Sequence, residues 1–266
     1  MQLSVRPAAV AGLFYPGNPV ELEQMVDQLL DSSPEPGELP RCPKAFVVPH
    51  AGLVYSGSTA ALAYRQIERW QSEAEWDQVV ILGPNHRKPL RGMAGVEEEA
   101  WNTPMGTCKT ALALEQRLQT HFDLPTRPDV HQLEHCIEVQ LPFLKRVLPD
   151  AELLPILVGQ ATVEEVANLI QEVWQQPHVL LIISSDLSHY HPWSEAQTLD
   201  AATTGMICSR IPELESQQAC GFHALNGLLY AARAQGLSVD CLGQTTSGDT
   251  AGSKESVVGY GAYVCY

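Results

Sequence analysis

The stretch "KAFVVPHAGLVYSGSTAALAYRQIERW", residues 44–70, decides the fold class. Its first part is a short apolar run typical of a buried strand, and the part from Ser56 onward has the spacing of an amphipathic helix. The alternation recurs in "DQVVILGPNH" (77–86), in "AELLPILVG" (151–159) followed by "TVEEVANLIQEVWQQ" (162–176), and in "HVLLIISSD" (178–186). Strands that alternate with helices predict an α/β fold with a mostly parallel central sheet and helices on both faces.

The flanking segments fit the same architecture. A helical run, "PVELEQMVDQLLDS" (19–32), precedes a Pro- and Ser-rich surface connection at residues 31–44, and two further helical stretches cover 194–209 and 216–235. The segments "SVDCLGQTT" (238–246) and "SVVGYGAYVCY" (256–266) predict a final hairpin or sheet edge. The chain has no internal repeat, so we predict a single domain over residues 1–266.

Composition excludes several classes of function. Lys and Arg number 16 against 31 Asp and Glu, and the net charge of -15 repels both nucleic-acid phosphates and anionic lipid surfaces. The amino-terminal segment lacks the apolar core of a signal peptide, and no window approaches the ~20 apolar residues of a membrane span. The 7 cysteines include no C-x-x-C pair and are expected to be reduced thiols. We therefore expect a cytoplasmic protein that binds neither nucleic acid nor membrane.

Reactive side chains follow four of the predicted strands. His50 follows "FVVP", His86 follows "VVILGPN", Asp186 and His189 follow "VLLIISS", and Asp249 follows "CLGQTTSG". In open α/β sheets the ligand crevice lies beyond the carboxyl ends of the strands. These side chains are therefore predicted to meet in one site.

Two imidazoles and one carboxylate can bind Fe(II) and leave positions open for substrate and O₂, and the same set can hold Zn(II) with a water. We predict His50, His86 and Asp249 as the metal ligands. His189 is then free to act as an acid or base, with Asp186 three residues earlier to orient it. An alternative role for Asp186 is that of a helix N-cap, given "SDLS".

A second candidate site lies in "DVHQLEHCIEVQLPFL", residues 129–144. Its His131, Glu134 and His135 match the H-x-x-E-H pattern of a class of metallopeptidases. On a helix these residues share one face with Glu138, which predicts two metal ligands and a general base. The alternatives are a solvated polar face and a rim or support of the main site. Serine-hydrolase and phosphate-binding motifs are absent from the sequence.

Six segments occur in an order that matches a known family. They are "RPAAVAGLFYP" (6–16), "VVPHAGLVYSG" (47–57), "ILGPNH" (81–86), "LEHCIEVQLPFL" (133–144), "ISSDLSHYH" (183–191), and "TTSGD" (245–249) with "SVVGYGAYV" (256–264). The chain resembles the Memo family, whose bacterial members are called AmmeMemoRadiSam system protein B, from about residue 6 to the carboxyl terminus. The resemblance implies a fold similar to the class III extradiol dioxygenases, a single α/β domain with a non-haem iron at the strand ends.

By this resemblance His50 and His86 would be metal ligands and His189 would match the catalytic histidine. Animal members carry a cysteine in the loop before the final strand, where this chain has Asp249 or Thr250, with Glu255 as a further alternative. A carboxylate in place of a thiol favours Fe(II) as the cofactor over Cu, and Zn(II) remains possible.

The resemblance indicates partner proteins but no substrate. It implies an association with an AMMECR1-like protein and a radical SAM enzyme. Three functions follow from the sequence: an Fe(II)-dependent, dioxygenase-like oxidoreductase acting on a small molecule, a non-catalytic metal- or ligand-binding accessory protein, and a metal-dependent hydrolase at the H-x-x-E-H segment.

Overall fold

A computed structural model describes residues 3–266, which form eleven strands and eight α-helices. The strands are β1 (Val5–Arg6), β2 (Ala45–Val48), β3 (Gln78–Pro84), β4 (Met93–Ala94), β5 (Ala100–Thr103), β6 (Gly106–Lys109), β7 (Glu152–Val158), β8 (Val179–Ser184), β9 (His189–His191), β10 (Val239–Thr246) and β11 (Val257–Cys265). The helices are α1 (Pro19–Asp31), α2 (Leu53–Ala74), α3 (Leu112–Gln119), α4 (Pro128–His131), α5 (Leu141–Val147), α6 (Val163–Val173), α7 (Trp193–Cys208) and α8 (Phe222–Ala234). No helix in residues 3–266 combines the length and the apolar composition that a membrane crossing requires.

The main sheet has the strand order β10-β11-β2-β8-β3-β7-β4, and β9 pairs with β11. Its four central strands, β2, β8, β3 and β7, are parallel to one another. At one edge β11 is antiparallel to both β2 and β10, and at the other β4 is antiparallel to β7. The predicted α/β class is confirmed, with a parallel centre and antiparallel edges.

Helices cover both faces of this sheet because its central strands are apolar on both faces. Along β2, Phe46 and Val48 join a core with α1 and α2, whereas Ala45 and Val47 join a second core with α6 and α8. Successive side chains of a strand point to opposite faces, so one continuous apolar run serves both layers. The parallel strands are thereby fixed in the middle of the molecule.

Helix α8 lies close against α6 at Gly227. A Cβ atom at this position would come within 2.6 Å of the Cβ of Val166, so a larger residue would not fit without a shift of the helices. By contrast, Gly205 on α7 is exposed and has open space around the position of a Cβ. Only the first of these glycines is required by packing.

The amino-terminal segment is held to the middle of the chain by a buried ion pair. Arg6 in β1 donates to Glu138 over 2.6 Å, and the exposed fraction of the two side chains is 1% and 0%. The same carboxylate accepts the backbone N–H groups of Ala9 and Val10 over 2.8 and 2.9 Å, and the hydroxyl of Tyr15 over 2.7 Å. Burial and proximity to Glu138 raise the pKa of the Tyr15 hydroxyl far above its usual value, so it remains a donor.

Arg6 also fixes the segment that follows α4. Its guanidinium donates to the carbonyl oxygens of His131 over 3.0 Å and of Glu134 over 2.7 Å. A buried guanidinium that binds one carboxylate and these two carbonyl groups holds residues 132–137 in a fixed, non-helical path.

Candidate metal centre

His50 lies at the carboxyl end of β2 and is buried, with an exposed fraction of 1%. Its Nδ1 is 2.9 Å from the Ser184 hydroxyl at the end of β8. That hydroxyl donates its own hydrogen to the carbonyl of Cys136 over 2.7 Å. Ser184 must therefore accept from His50, and we assign the ring hydrogen to Nδ1. The lone pair is therefore on Nε2, which lies 3.3 Å from the Sγ of Cys220.

The His50 ring is held in its neutral form. Burial lowers its pKa well below the usual value, and the neighbouring imidazoles of His86 and His135 lower it further. A neutral imidazole is the form that binds metal ions. The backbone N–H of His50 donates to Asp186 over 2.7 Å, which ties the loop after β2 to the loop after β8.

His86 follows β3 and is oriented by Glu134. Its Nδ1 lies 2.9 Å from one Glu134 oxygen, and its backbone N–H donates to the other over 2.6 Å. A carboxylate only accepts, so the Nδ1 of His86 carries the hydrogen and its Nε2 is free. A carboxylate behind an imidazole fixes the ring and increases its basicity as a metal ligand.

Glu134 is a buried carboxylate in contact with two imidazoles. Burial alone would raise its pKa, but the neighbouring imidazoles of His135 and His86 outweigh burial and hold that pKa far below its usual range. The Nδ1 of His135 is 3.1 Å from the same oxygen that binds His86. Glu134 is therefore ionised and adds one negative charge behind the imidazoles.

The third member of the cluster is His135. Its ring centroid lies 4.8 Å from that of His86 and 5.5 Å from that of His50, and the rings of His50 and His86 are 5.3 Å apart. One nitrogen from each of the three rings lies within 4.8 Å of the other two. Three neutral imidazoles that converge in this way are a suitable donor set for a transition metal such as Zn, Cu, Fe or Ni. A second, overlapping group consists of His86, Glu134 and Cys136.

Asp249, predicted as the third ligand, is not brought to this cluster. It ends a short 3₁₀ turn, Ser247–Asp249, and one of its carboxylate oxygens accepts the indole N–H of Trp193 over 2.7 Å. The other oxygen accepts both the backbone N–H and the hydroxyl of Thr246, over 2.9 and 2.8 Å. One oxygen thus binds Trp193 and the other caps the turn, and Asp249 belongs to neither candidate metal group in residues 3–266.

The alternatives in the same loop lie outside the cluster as well. The Thr250 hydroxyl donates to the carbonyl of Ser247 over 3.2 Å, and Glu255 is exposed on the surface. Of the predicted ligands, the structure brings together His50 and His86, and adds His135.

The helix predicted for the H-x-x-E-H segment does not form. Helix α4 ends at His131, and the chain turns through residues 132–137 before the 3₁₀ helix Glu138–Gln140 begins. His131 Nε2 donates to the carbonyl of Ala94 over 3.2 Å, and its ring packs edge-on against Trp101 with centroids 5.8 Å apart. The prediction that these residues share one helical face was wrong, because the buried Arg6 binds this segment in another conformation.

A cleft of about 610 Å³ opens over the imidazole cluster. It is lined by Phe14, His50, His86, Arg87, His135, Asp186, His189, Tyr190, His191, Ser216, Gln217 and Cys220. The Nδ1 of His189 donates to the carbonyl of Leu187 over 2.9 Å, so Nε2 is the ring nitrogen available to a ligand. His189 thus faces the same cleft as the three clustered imidazoles.

Asp186 takes a role that differs from both predicted ones. No helix follows it, since the next element is β9, so it is not an N-cap. Its Oδ1 accepts from the backbone of His50, and the ring of His189 is oriented by the Leu187 carbonyl. Burial raises the pKa of the Asp186 carboxyl, although the His50 hydrogen bond opposes this shift. Asp186 therefore supports the cluster through the backbone of His50.

Cys220 is a residue of the site that the sequence did not indicate. Its Sγ lies 3.3 Å from Nε2 of His50, and burial raises the pKa of its thiol far above the usual value, so it is protonated. It comes from the segment before α8, which has no strand end or recognised motif to single it out. Gln140 was also missed, and it donates to the hydroxyl of Ser184 over 2.9 Å.

These features define an α/β domain with a histidine-lined cleft at the carboxyl edge of its parallel strands, and three of the histidines could hold a metal ion. The family model described as "Memo-like protein" matches residues 6–264. The chain therefore belongs to the Memo-like family, and the resemblance identified from the six ordered segments is confirmed.

Curated relatives match over nearly their whole length. MEMO1 family proteins of Thermotoga petrophila, Aquifex aeolicus and Nitrosopumilus maritimus are 35%, 34% and 31% identical to this chain. The alignments cover 96–97% of this chain and 97–98% of the relatives. A solved structure of an uncharacterised protein from Escherichia coli K12 has a TM-score of 0.48 and 14% identity, over 85% of this chain and 99% of that one, a likeness too low to support a conclusion.

Proposed function

We propose that this chain is a metal-dependent oxidoreductase that acts on a small molecule, with Fe(II) held by His50, His86 and His135. The observation that carries the proposal is the orientation of two rings. Ser184 and Glu134 hold the Nδ1 atoms of His50 and His86, so the lone pair of each ring is on Nε2. A metal ion at His50 Nε2 would take the place of the Cys220 thiol contact. Three protein ligands leave coordination positions open for a substrate, as catalytic metal sites require.

The donor set itself accommodates several metals, since imidazole suits Zn, Cu, Fe and Ni alike. Fe(II) is proposed because the chain belongs to the Memo-like family, which resembles the class III extradiol dioxygenases with their non-haem iron. A bound Fe(II) would supply redox chemistry and Lewis acidity to a substrate in the open positions.

His189 is proposed as the proton acceptor of the reaction. Its Nδ1–H is fixed on the Leu187 carbonyl, so the free Nε2 is the atom that takes up a proton from a substrate hydroxyl in the cleft. The carboxylate of Glu134 stabilises the neighbouring imidazoles from behind, and Phe14, whose ring centroid is 4.7 Å from that of His135, covers one side of the cluster.

The first experiment is an anaerobic calorimetric titration of Fe(II) and of Zn(II) into the wild type and four variants. His50→Ala, His86→Ala and His135→Ala are expected to lower metal affinity more than tenfold, which corresponds to about 1.4 kcal/mol. Asp249→Asn is the matched control and is expected to leave affinity unchanged. A loss with Asp249→Asn as large as that with His86→Ala would restore the two-histidine, one-carboxylate set and contradict the ligand set proposed here.

The second experiment separates catalysis from binding. Iron-loaded protein is expected to consume oxygen with a catechol-like chelator, and His189→Gln is expected to retain the metal and lose this activity. His121→Gln, an exposed histidine outside the cleft, is the control for removal of an imidazole. Tight metal binding without oxygen uptake over a diverse panel would favour the alternative function, an accessory protein working with AMMECR1-like and radical SAM partners.

A further inference from the structure

A second cavity, here called the arginine cavity, lies beside the histidine cleft. It has a volume of about 770 Å³, and its lining includes Pro84, Arg91, Arg127, Val158, Gln160 and Cys220. Pro84 and Val158 are the last residues of β3 and β7, so the cavity opens at the same edge of the sheet as His86. This edge is where open α/β sheets bind their ligands.

The two cavities share a wall. Cys220 lines both the arginine cavity and the histidine cleft, and its Sγ is 3.3 Å from Nε2 of His50. A molecule bound with one end at the imidazoles therefore has the arginine cavity directly beyond Cys220.

The charge of the arginine cavity is opposite to that of the protein. Acidic residues outnumber basic ones by 31 to 16 in the whole chain, yet within residues 3–266 the lining of this cavity contains no Asp or Glu and two arginines. Such a local reversal of charge concentrates anions in the cavity.

Of the two arginines that line the arginine cavity, Arg91 is the one free to bind a ligand. The neighbouring Arg127 is already paired with Asp129 over 2.7 Å, and Lys88 lies 3.7 Å from the same carboxylate. Arg91 forms no ion pair with a carboxylate of residues 3–266. A planar guanidinium without an internal partner is suited to bidentate binding of a carboxylate or a phosphate.

We propose that the substrate is an anionic small molecule, whose carboxylate or phosphate binds Arg91 in the arginine cavity while its reactive end lies at the histidine cluster. This inference rests on the proposed function for the reactive end only. The anionic end depends on Arg91 and the cavity and can be tested without a metal.

The first test measures anion binding to the metal-free protein by calorimetry, with inorganic phosphate and citrate as probes. Arg91→Gln is expected to weaken binding at least tenfold. The matched control is Arg233→Gln, which removes the same charge from the exposed far end of α8. Equal effects of the two substitutions would show a response to net charge only and would overturn the proposal, as would the absence of binding by the wild type at 10 mM probe, a concentration about ten times the weakest Kd of interest.

The second test asks whether one molecule spans both cavities. The probes are acetohydroxamate and the monohydroxamates of succinic and adipic acids, which join a metal-chelating group to a carboxylate through spacers of different length. At least one carboxylate-bearing probe is expected to bind Zn(II)-loaded protein more than tenfold tighter than acetohydroxamate. This gain should disappear in Arg91→Gln and persist in Arg233→Gln.

Failure of the proposed metal site and failure of the proposed spanning substrate would give different results. If acetohydroxamate does not bind the loaded protein and phosphate still requires Arg91, the metal proposal fails and the anion site stands. If acetohydroxamate binds and no carboxylate improves it, the metal proposal stands and the spanning substrate is refuted.

Discussion

Replacing Glu138 by Gln tests the buried ion pair that positions the histidine segment. Glu138 accepts four hydrogen bonds, two at each oxygen, from Arg6, Ala9, Val10 and Tyr15. A glutamine keeps the shape, but its amide nitrogen donates, so two of the four donors lose their acceptor. Each unsatisfied buried donor costs about 1–3 kcal/mol, and Arg6 becomes an unpaired buried charge. Breaking a buried pair in this way costs about 3–5 kcal/mol.

Urea unfolding followed by tryptophan fluorescence would measure this change in the free energy of unfolding. Asp27→Asn is the control, because Asp27 pairs with Arg146 at the surface, where exposed pairs contribute only about 0–1 kcal/mol. Glu138→Gln should also weaken Fe(II) binding, since Arg6 fixes the Glu134 carbonyl. A destabilisation no larger than that of Asp27→Asn would refute the assignment of this pair as the clamp of the segment.

Three further predictions concern the site and the packing. Glu134→Gln should lower metal affinity about 10–100-fold in calorimetric titration, because His86 loses its carboxylate partner. Burial lowers the pKa of His131 to about 4. In the unfolded chain the same imidazole has a pKa near 6.5, so as pH falls it is protonated in the unfolded state before the folded state. The free energy of unfolding should therefore drop by about 3 kcal/mol between pH 6.5 and 4. His131→Gln should reduce that slope in urea titrations, and an unchanged slope would contradict the assignment. Gly227→Ala should lower the midpoint of thermal unfolding through overpacking, whereas Gly205→Ala should raise stability by about 0.5–1 kcal/mol.

The central strands and their helices could be predicted from the sequence because burial on both faces leaves a continuous apolar run. The run 45–48 formed β2, and the helix predicted after it formed α2. Strands β5 and β6 were missed, since "AWNT" and "GTCK" are four residues each and mix polar with apolar side chains. Such short strands form through pairing with distant residues, which a local pattern does not record.

Two residues of the site, His50 and His86, could also be predicted from the pattern of apolar strands. His50 and His86 follow apolar strands, so their position at the carboxyl edge of the sheet is a consequence of topology. His135 was placed on a helix because its spacing to His131 is helical, and contacts to Arg6, 129 residues away from His135 in the chain, override that local preference. For Asp249 a local signal existed, since Thr246 and Asp249 have the spacing of a capping box, which engages one carboxylate oxygen.

The exchange of a carboxylate for a third imidazole changes the charge of the proposed centre. His50, His86 and His135 are neutral ligands, so a divalent ion bound by them keeps its full charge toward the cleft, whereas a ligating Asp249 would have cancelled half of it. The ionised Glu134 lies behind the rings and faces away from the open positions. A substrate with a chelating end at the metal and an anionic end at Arg91 would then be attracted at both ends. Removing Arg91 and removing the metal should therefore each weaken the binding of a carboxylate-bearing hydroxamate. Because one molecule bridges both cavities, the two losses should be coupled and not simply additive, which a double-mutant cycle would measure.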